Sequence, residues 1–506
     1  MATRTLRSCT SLVCSVVALL AASGCSQGSD APTPGTAGAP STGNAGASSV
    51  AGAATMPGTA GSTQGGPGGS VGVGGAPAAG GAPSSAGAGG AGSSVAGAPA
   101  TNGGAAGSGS GGAPATGDTY NPTFVEFTGA NCTVGDAAKV NNAKFPDLFM
   151  SFDGTRMTKK SDWSCRRAEL KKAVETYIHG AKPGTPEKVT GTVSATQITV
   201  HVENMGKMID FKVSVSIPAG VTGAAPAIIG LGGGSLDASV VSGEGVASIN
   251  YDQNALSSET TRMGLFTDIY GATGASAQIG WAWGVSRIID VLVSERDAGR
   301  NKLIDPTAIG VTGCSRLGKG AFTVGAFDER IALGIPQESG TGGVSALRVV
   351  NTAPMGPNGK PAQSIDSAWS EAQGWFGSVF ANYKSNVNVI PADTHSLVAM
   401  YAPRGLLVLD NSRIGELGAV AQHAATAAGA MVYTALGVEK NIEYNGGSPT
   451  DPQNHCMFYP FQADPLKRAI RAFLTKKAAP DGRIAPAAVA TADMTKWVDW
   501  TTPTLQ

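Results

Sequence analysis

Ser315 stands in the segment Ile309-Gly310-Val311-Thr312-Gly313-Cys314-Ser315-Arg316-Leu317-Gly318-Lys319-Gly320, an apolar run followed by small residues and a helix start. A strand, a tight turn and a helix in that order are the setting of a nucleophile elbow, which exposes a serine hydroxyl above a sheet. The free N–H groups of the following helix then face the charge that develops on an attacked carbonyl. The segment departs from G-x-S-x-G, because Leu317 stands in place of the second glycine and Gly318 follows one later. Taken alone, it also fits a phosphate-binding or purely structural glycine turn. A serine hydroxyl is a weak nucleophile at neutral pH and needs a base beside it. Of five histidines, His455 in Pro452-Gln453-Asn454-His455-Cys456 lies in a loop after an expected strand near 442–444 and before the last helix. His179 and His201 fall in peripheral elements, His423 on an alanine-rich helix and His395 in a loop near the core, and these four read as structural. Two acids compete to orient the base: Glu338, after the strand that follows the nucleophile helix, and Asp410, at the end of the next core strand. Position alone favours Asp410.

Such residues need a rigid scaffold. Short apolar runs at 227–230, 309–311, 331–335 and 406–409, bounded by turns and separated by helical stretches, predict a parallel sheet covered on both faces. Helices are expected at 165–177, 283–295, 319–327 and 420–436, with a last one capped by Asp464 and carrying Pro465 at its first position. Two alternating runs, 189–202 and 208–217, predict antiparallel strands. The fold class consistent with this order is α/β, an α/β-hydrolase-type three-layer sandwich with a mostly parallel central sheet, built by residues 119–506 as one domain.

The rest of the 506-residue chain is of another kind. Arg4 and Arg7 precede an apolar stretch over 12–22 and then Ser23-Gly24-Cys25, so residues 1–25 read as an export signal too short to remain as a membrane span. The stretch resembles a lipoprotein signal, in which Cys25 would carry the lipid anchor, although Ala22 stands where Leu is usual. Residues 26–118 are almost only Gly, Ala, Ser, Thr and Pro, which cannot offset ordering entropy by burial and predict a disordered linker. A flexible coil of that length reaches about 50 Å. The expected location is outside the cytoplasm, as a cell-surface lipoprotein or a secreted protein. Lys+Arg and Asp+Glu balance at 36 each, which leaves no global field for nucleic acid. No metal-ligand spacing is present, no cofactor is required and a monomer is expected.

From about residue 131 to 474 the chain resembles the glucuronoyl methylesterases, carbohydrate esterase family fifteen. The likeness rests on Gly313-Cys314-Ser315-Arg316-Leu317-Gly318-Lys319-Gly320, on Arg330-Ile331-Ala332-Leu333-Gly334-Ile335-Pro336-Gln337-Glu338-Ser339-Gly340, on Trp281-Ala282-Trp283-Gly284-Val285-Ser286-Arg287 and on Asn454-His455-Cys456. It implies a triad of Ser315, His455 and Glu338, reversing the positional preference for Asp410. It implies Arg316 as the oxyanion stabiliser and Lys319, Gln363 and Glu371 as contacts to sugar hydroxyls. The implied substrate is an ester between glucuronic or 4-O-methylglucuronic acid of xylan and an alcohol such as lignin. Fungal members place a tryptophan against the sugar near the position where this chain has Glu416.

Of seven cysteines, Cys9, Cys14 and Cys25 lie in the leader and four in the domain, an even number that suggests disulfides in an exported protein. The resemblance implies the pairs Cys314–Cys456 and Cys132–Cys165. Two other readings stay open: a broader carboxylesterase of the same fold, and a non-catalytic polysaccharide-binding surface protein.

Overall fold

A computed structural model describes residues 124–128, 133–448 and 450–506 of the chain, all within one unit, Ala106–Gln506. The expected export signal over 1–25 and linker over 26–118, with Cys25 and Cys132, lie outside the described residues.

The first long helix, α1 (Trp163–Val174), precedes three antiparallel strands, β1 (Lys188–Val193), β2 (Gln197–Asn204) and β3 (Lys207–Ser216). The alternating run over 189–202 is therefore two strands rather than one. A turn interrupts it, closed by the Ser194 N–H on the Gln197 carbonyl at 2.9 Å. Strands β4 (Ala225–Leu231), β5 (Ala247–Tyr251), β6 (Ile304–Cys314), β7 (Ile331–Gln337), β8 (Gly405–Leu409), β9 (Ile442–Asn445) and β10 (Ile484–Ala485) are parallel to their neighbours among themselves. The ten-stranded order is β1-β2-β3-β5-β4-β6-β7-β8-β9-β10, with β5 antiparallel to β3.

Alternate residues of the central strands enter opposite cores, as a sheet covered on both faces requires. Leu406 and Val408 of β8 join the large core, whereas Leu407 and Leu409 join a smaller one. The larger core takes helices α2 (Ala277–Asp297), α3 (Arg316–Phe327), α4 (Thr394–Tyr401) and α5 (Ala419–Leu436). The smaller core takes α6 (Pro460–Ala469) with Leu466, and Ile470 just beyond its end. This unit is an α/β-hydrolase sandwich. Helix α6 begins earlier than Asp464 suggests, because Pro460 already fits the first helical position, and Pro465 lies inside it. Helix α2 carries Trp281, Trp283 and Arg287, all fully buried, so the Trp-Ala-Trp string serves packing. The Trp281 indole N–H donates to the Ser257 carbonyl at 2.7 Å.

Arg287 belongs to a buried ionic cluster that fastens the start of the domain. Lys182, Arg287 and Arg330 face Glu126, Asp290 and Asp328, with Arg287 Nε to Asp290 at 2.6 Å and Arg330 to Asp328 at 2.8 Å. Glu126 pairs with both Lys182 and Arg287. Its carbonyl also accepts the Glu329 N–H at 2.8 Å. Burial alone would raise the Glu126 carboxyl, yet Lys182 and Arg287 hold it below the ordinary carboxylate range. Glu126→Ala would leave three cations facing two carboxylates, and a loss of about 3–5 kcal/mol is expected, measured by urea unfolding.

Candidate active site

Strand β6 ends at Cys314 and α3 begins at Arg316, so Ser315 alone makes the turn, with φ 57° and ψ −125°. A side-chain-bearing residue holds that conformation at a cost of about 1–3 kcal/mol, and surrounding contacts must impose it. Here the Ser315 N–H donates to the Gln337 carbonyl at 3.0 Å. Glycines make the turn possible: a Cβ at Gly313 would lie 2.4 Å from the Leu317 carbonyl oxygen, and one at Gly318 would lie 2.4 Å from the Gln337 carbonyl oxygen. Leu317 fits where the familiar pattern has glycine because it packs on Gly232, whose Cβ would meet its Cδ1 at 2.6 Å.

Glu338 follows β7 and turns sharply with φ 45°, while its N–H donates to the Leu409 carbonyl at 2.7 Å. The carboxylate is fully buried, and Oε2 accepts from His455 Nδ1 at 2.7 Å and from the Cys456 N–H at 2.7 Å. Holding Nδ1 as the protonated nitrogen leaves Nε2 of His455 as the basic atom. The imidazole is 42% exposed, and it lines the same open cavity of about 900 Å³ as Ser315. Asp410, favoured by position, is not joined to the histidine. Its oxygens accept from the Asn411 N–H at 2.8 Å, Gln422 Nε2 at 2.7 Å and the Tyr444 hydroxyl at 2.7 Å. Burial pushes its carboxyl up to about 7, with the Glu338 charge adding to the rise and the three donors opposing it.

Cys314 and Cys456 form a disulfide with Cα atoms 5.6 Å apart, tying the elbow to the histidine loop. Closing a separation of 142 residues stabilises the fold by about 5 kcal/mol on the chain-entropy account. The sulfurs, Glu338 and His455 lie within 4.8 Å of one another, as a metal ligand set would. Bonded sulfurs offer no thiolate, however, and Nδ1 is taken by Glu338. Cys165 is disulfide-bonded, and its expected partner Cys132 lies outside the described residues.

The other expected residues meet in the cavity. Arg316 is largely exposed there, and its NH1 donates to Glu259 Oε1 at 2.6 Å, which holds the guanidinium above its ordinary basicity. The glycine loop after β4 would be the usual second source of oxyanion donors. Its N–H groups are turned inward: Gly232 to Tyr251 at 2.9 Å, Gly233 to Gly230 at 3.1 Å and Gly234 to Leu231 at 3.0 Å. Lys319 is buried, donates to the Ser339 carbonyl at 2.5 Å and lies 4.5 Å from the Trp375 ring centre. Burial lowers its ammonium to about 7, with Glu371 and Glu259 opposing the fall. Gln363 Nε2 donates to Glu371 Oε2 at 2.6 Å, so these two form a pair on the cavity wall. Glu416 also lines the wall, held by Lys360 at 2.5 Å and Asn358 at 2.8 Å. The remaining histidines are engaged elsewhere, His395 on the Pro146 carbonyl at 2.9 Å and His423 on the Ala492 N–H at 2.9 Å. Glu259 and Trp375 were missed as site residues, because neither lies in a string with catalytic spacing.

The geometry has close relatives. A family model described as glucuronyl esterase, fungi, matches residues 200–437. A 4-O-methyl-glucuronoyl methylesterase of Hypocrea jecorina is 39% identical over 388 residues, 74% of this chain and 80% of that protein. The glucuronoyl esterase catalytic domain from Hypocrea jecorina superposes with a TM-score of 0.66 at 38% identity, covering 74% of this chain and 99% of that one. A serine-to-alanine mutant of the Sporotrichum thermophile enzyme, in complex with methyl 4-O-methyl-beta-D-glucopyranuronate, gives 0.67 at 35% identity, covering 74% and 100%. Identity at this level along nearly the whole of another catalytic domain goes beyond a shared sheet, and the chain belongs to the glucuronoyl esterase family.

Proposed function

We propose that this chain hydrolyses esters of glucuronic and 4-O-methylglucuronic acid, carried on glucuronoxylan and joined to alcohols such as those of lignin, through a glucuronoyl-enzyme on Ser315. The single observation that supports it most is His455 fixed through Nδ1 by buried Glu338 on the wall of the cavity that Ser315 also lines. His455 Nε2 takes the Ser315 proton as Oγ attacks the ester carbonyl. The carbonyl oxygen gains a negative charge, and the Arg316 backbone N–H and guanidinium stabilise it. Collapse of the adduct expels the alcohol, which takes the proton from His455. Water, deprotonated by the same nitrogen, then attacks the acyl-enzyme and releases the free uronic acid with Ser315 restored. Lys319, Gln363 and Glu371 bind sugar hydroxyls, so the acid half of the ester is the half recognised.

The decisive assay compares methanol release from methyl glucuronate and methyl galacturonate. A clear preference for glucuronate is expected. Equal rates would favour a broader carboxylesterase, and binding of xylan fragments without alcohol release would favour a non-catalytic surface protein.

On the same reading, residues 1–25 export the chain, Cys25 carries a lipid and residues 26–118 tether a monomeric catalytic domain, 119–506, outside the cytoplasm. Cysteine pairing in the domain is consistent with an oxidising location. Cys25→Ala is expected to abolish fatty-acid labelling of the expressed protein, and a variant that still labels would remove the lipid anchor from this account.

A further inference from the structure

Glu259 lies outside every string that carries the family likeness, yet it touches two groups of the cavity at once. Its Oε1 accepts from Arg316 NH1 at 2.6 Å and its Oε2 accepts from the Trp375 indole N–H at 2.9 Å. The backbone around it is equally fixed. The Glu259 carbonyl accepts the Gly374 N–H at 2.8 Å, and Arg262 donates to the carbonyls of Gln373 at 2.6 Å and Phe376 at 3.1 Å. The ring that Glu259 holds is the one against which Lys319 Nζ rests at 4.5 Å. One carboxylate therefore fixes Arg316 directly and Lys319 through Trp375, and both cations line the cavity with Ser315.

We propose that Glu259 is a positioning residue of the esterase, whose carboxylate sets the Arg316 guanidinium where the oxyanion forms and, through Trp375, sets the place of Lys319. This rests on the role given to Arg316 above. Both oxygens of Glu259 face N–H donors, so a carboxylate, acceptor on each side, satisfies them and a carboxamide does not. Glu259→Gln keeps the shape but must turn an NH2 group toward either the guanidinium or the indole. An unconstrained guanidinium on a half-open surface loses the fixed geometry on which electrostatic stabilisation depends.

The test is a double-mutant cycle of Glu259→Gln and Arg316→Ala, with kcat and KM for methyl glucuronate and a thermal melt for each variant. Glu259→Gln is expected to lower kcat by about 10-fold to 100-fold, less than the roughly 100-fold to 1000-fold that follows outright loss of an oxyanion donor, because Arg316 is still present. In the Arg316→Ala background the same change should alter kcat by less than about twofold, as for residues acting as one unit, while any effect carried through Trp375 to Lys319 remains in KM. Glu259→Asp, which keeps the charge and shortens its reach, is expected to fall between wild type and Glu259→Gln, and it carries the cycle if the glutamine variant does not fold. Unchanged kcat in a folded Glu259 variant overturns the proposal, as does an equal loss with and without Arg316, or a lowered melting point with turnover intact. If Arg316→Ala keeps full turnover, the oxyanion role of Arg316 falls and the proposal with it; if Arg316→Ala loses turnover and the Glu259 variants do not, only the proposal falls.

Discussion

Ser315→Ala is expected to lower kcat for methyl glucuronate by about five to six orders of magnitude, the loss seen when a serine hydrolase is deprived of its nucleophile. The turn that presents Ser315 is held by backbone contacts, its N–H on the Gln337 carbonyl and glycines at 313 and 318, and none of these needs the hydroxyl. The variant should therefore fold and still bind the product, and titration calorimetry with glucuronate separates lost chemistry from lost binding. Alanine at a positive φ is no more strained than serine, so the melting point should hardly move. A variant that keeps turnover within tenfold of wild type would refute the acyl-enzyme on this residue.

Glu338→Gln should cost about 10⁴-fold in kcat, and Asp410→Asn far less. The glutamate supplies the negative charge beside the imidazolium that forms during proton transfer, and it fixes which ring nitrogen is protonated. A carboxamide loses the charge and can also present NH2 to Nδ1, which leaves the wrong tautomer facing Ser315. Among the described residues Asp410 makes no contact of this sort; its carboxylate accepts from Asn411, Gln422 and Tyr444. Paired rate measurements on the two variants decide between the acids. Equal losses, or a larger one for Asp410→Asn, would reverse the assignment.

How much of this could be read beforehand follows from what local sequence encodes. The elbow was legible because an apolar strand, small residues and a helix start are contiguous at 309–320. The central strands were legible as short apolar runs, although β5, Ala-Ser-Ile-Asn-Tyr, carries too little apolar character to stand out. The split between β1 and β2 is marked only by a phase shift, apolar residues moving from odd positions (Val189, Val193, Ala195) to even ones (Ile198, Val200, Val202) across Thr196-Gln197, which is easily read as one alternating run. The acid was not legible from position. What decides it is the backbone turn at Glu338 and the engagement of Asp410 by its neighbour Asn411 and by Gln422 and Tyr444, two residues distant in the chain, and the turn and the two distant contacts leave no mark on the residues beside either acid. A recognisable string at Pro336-Gln337-Glu338-Ser339 supplied what position could not. Glu259 had no such string; only the folded loop brings it to Arg316 and Trp375.

The covalent link between Cys314 and Cys456 joins the residue before the nucleophile to the residue after the proposed base. Production in a reducing host cytosol, or a millimolar thiol left in an assay buffer, would remove that tie and leave the histidine loop held on Glu338 by the His455 ring and the Cys456 N–H alone. Batches of the recombinant enzyme that look equally folded by far-ultraviolet dichroism could then differ widely in specific activity, and counting free thiols before kinetics would identify the inactive fraction.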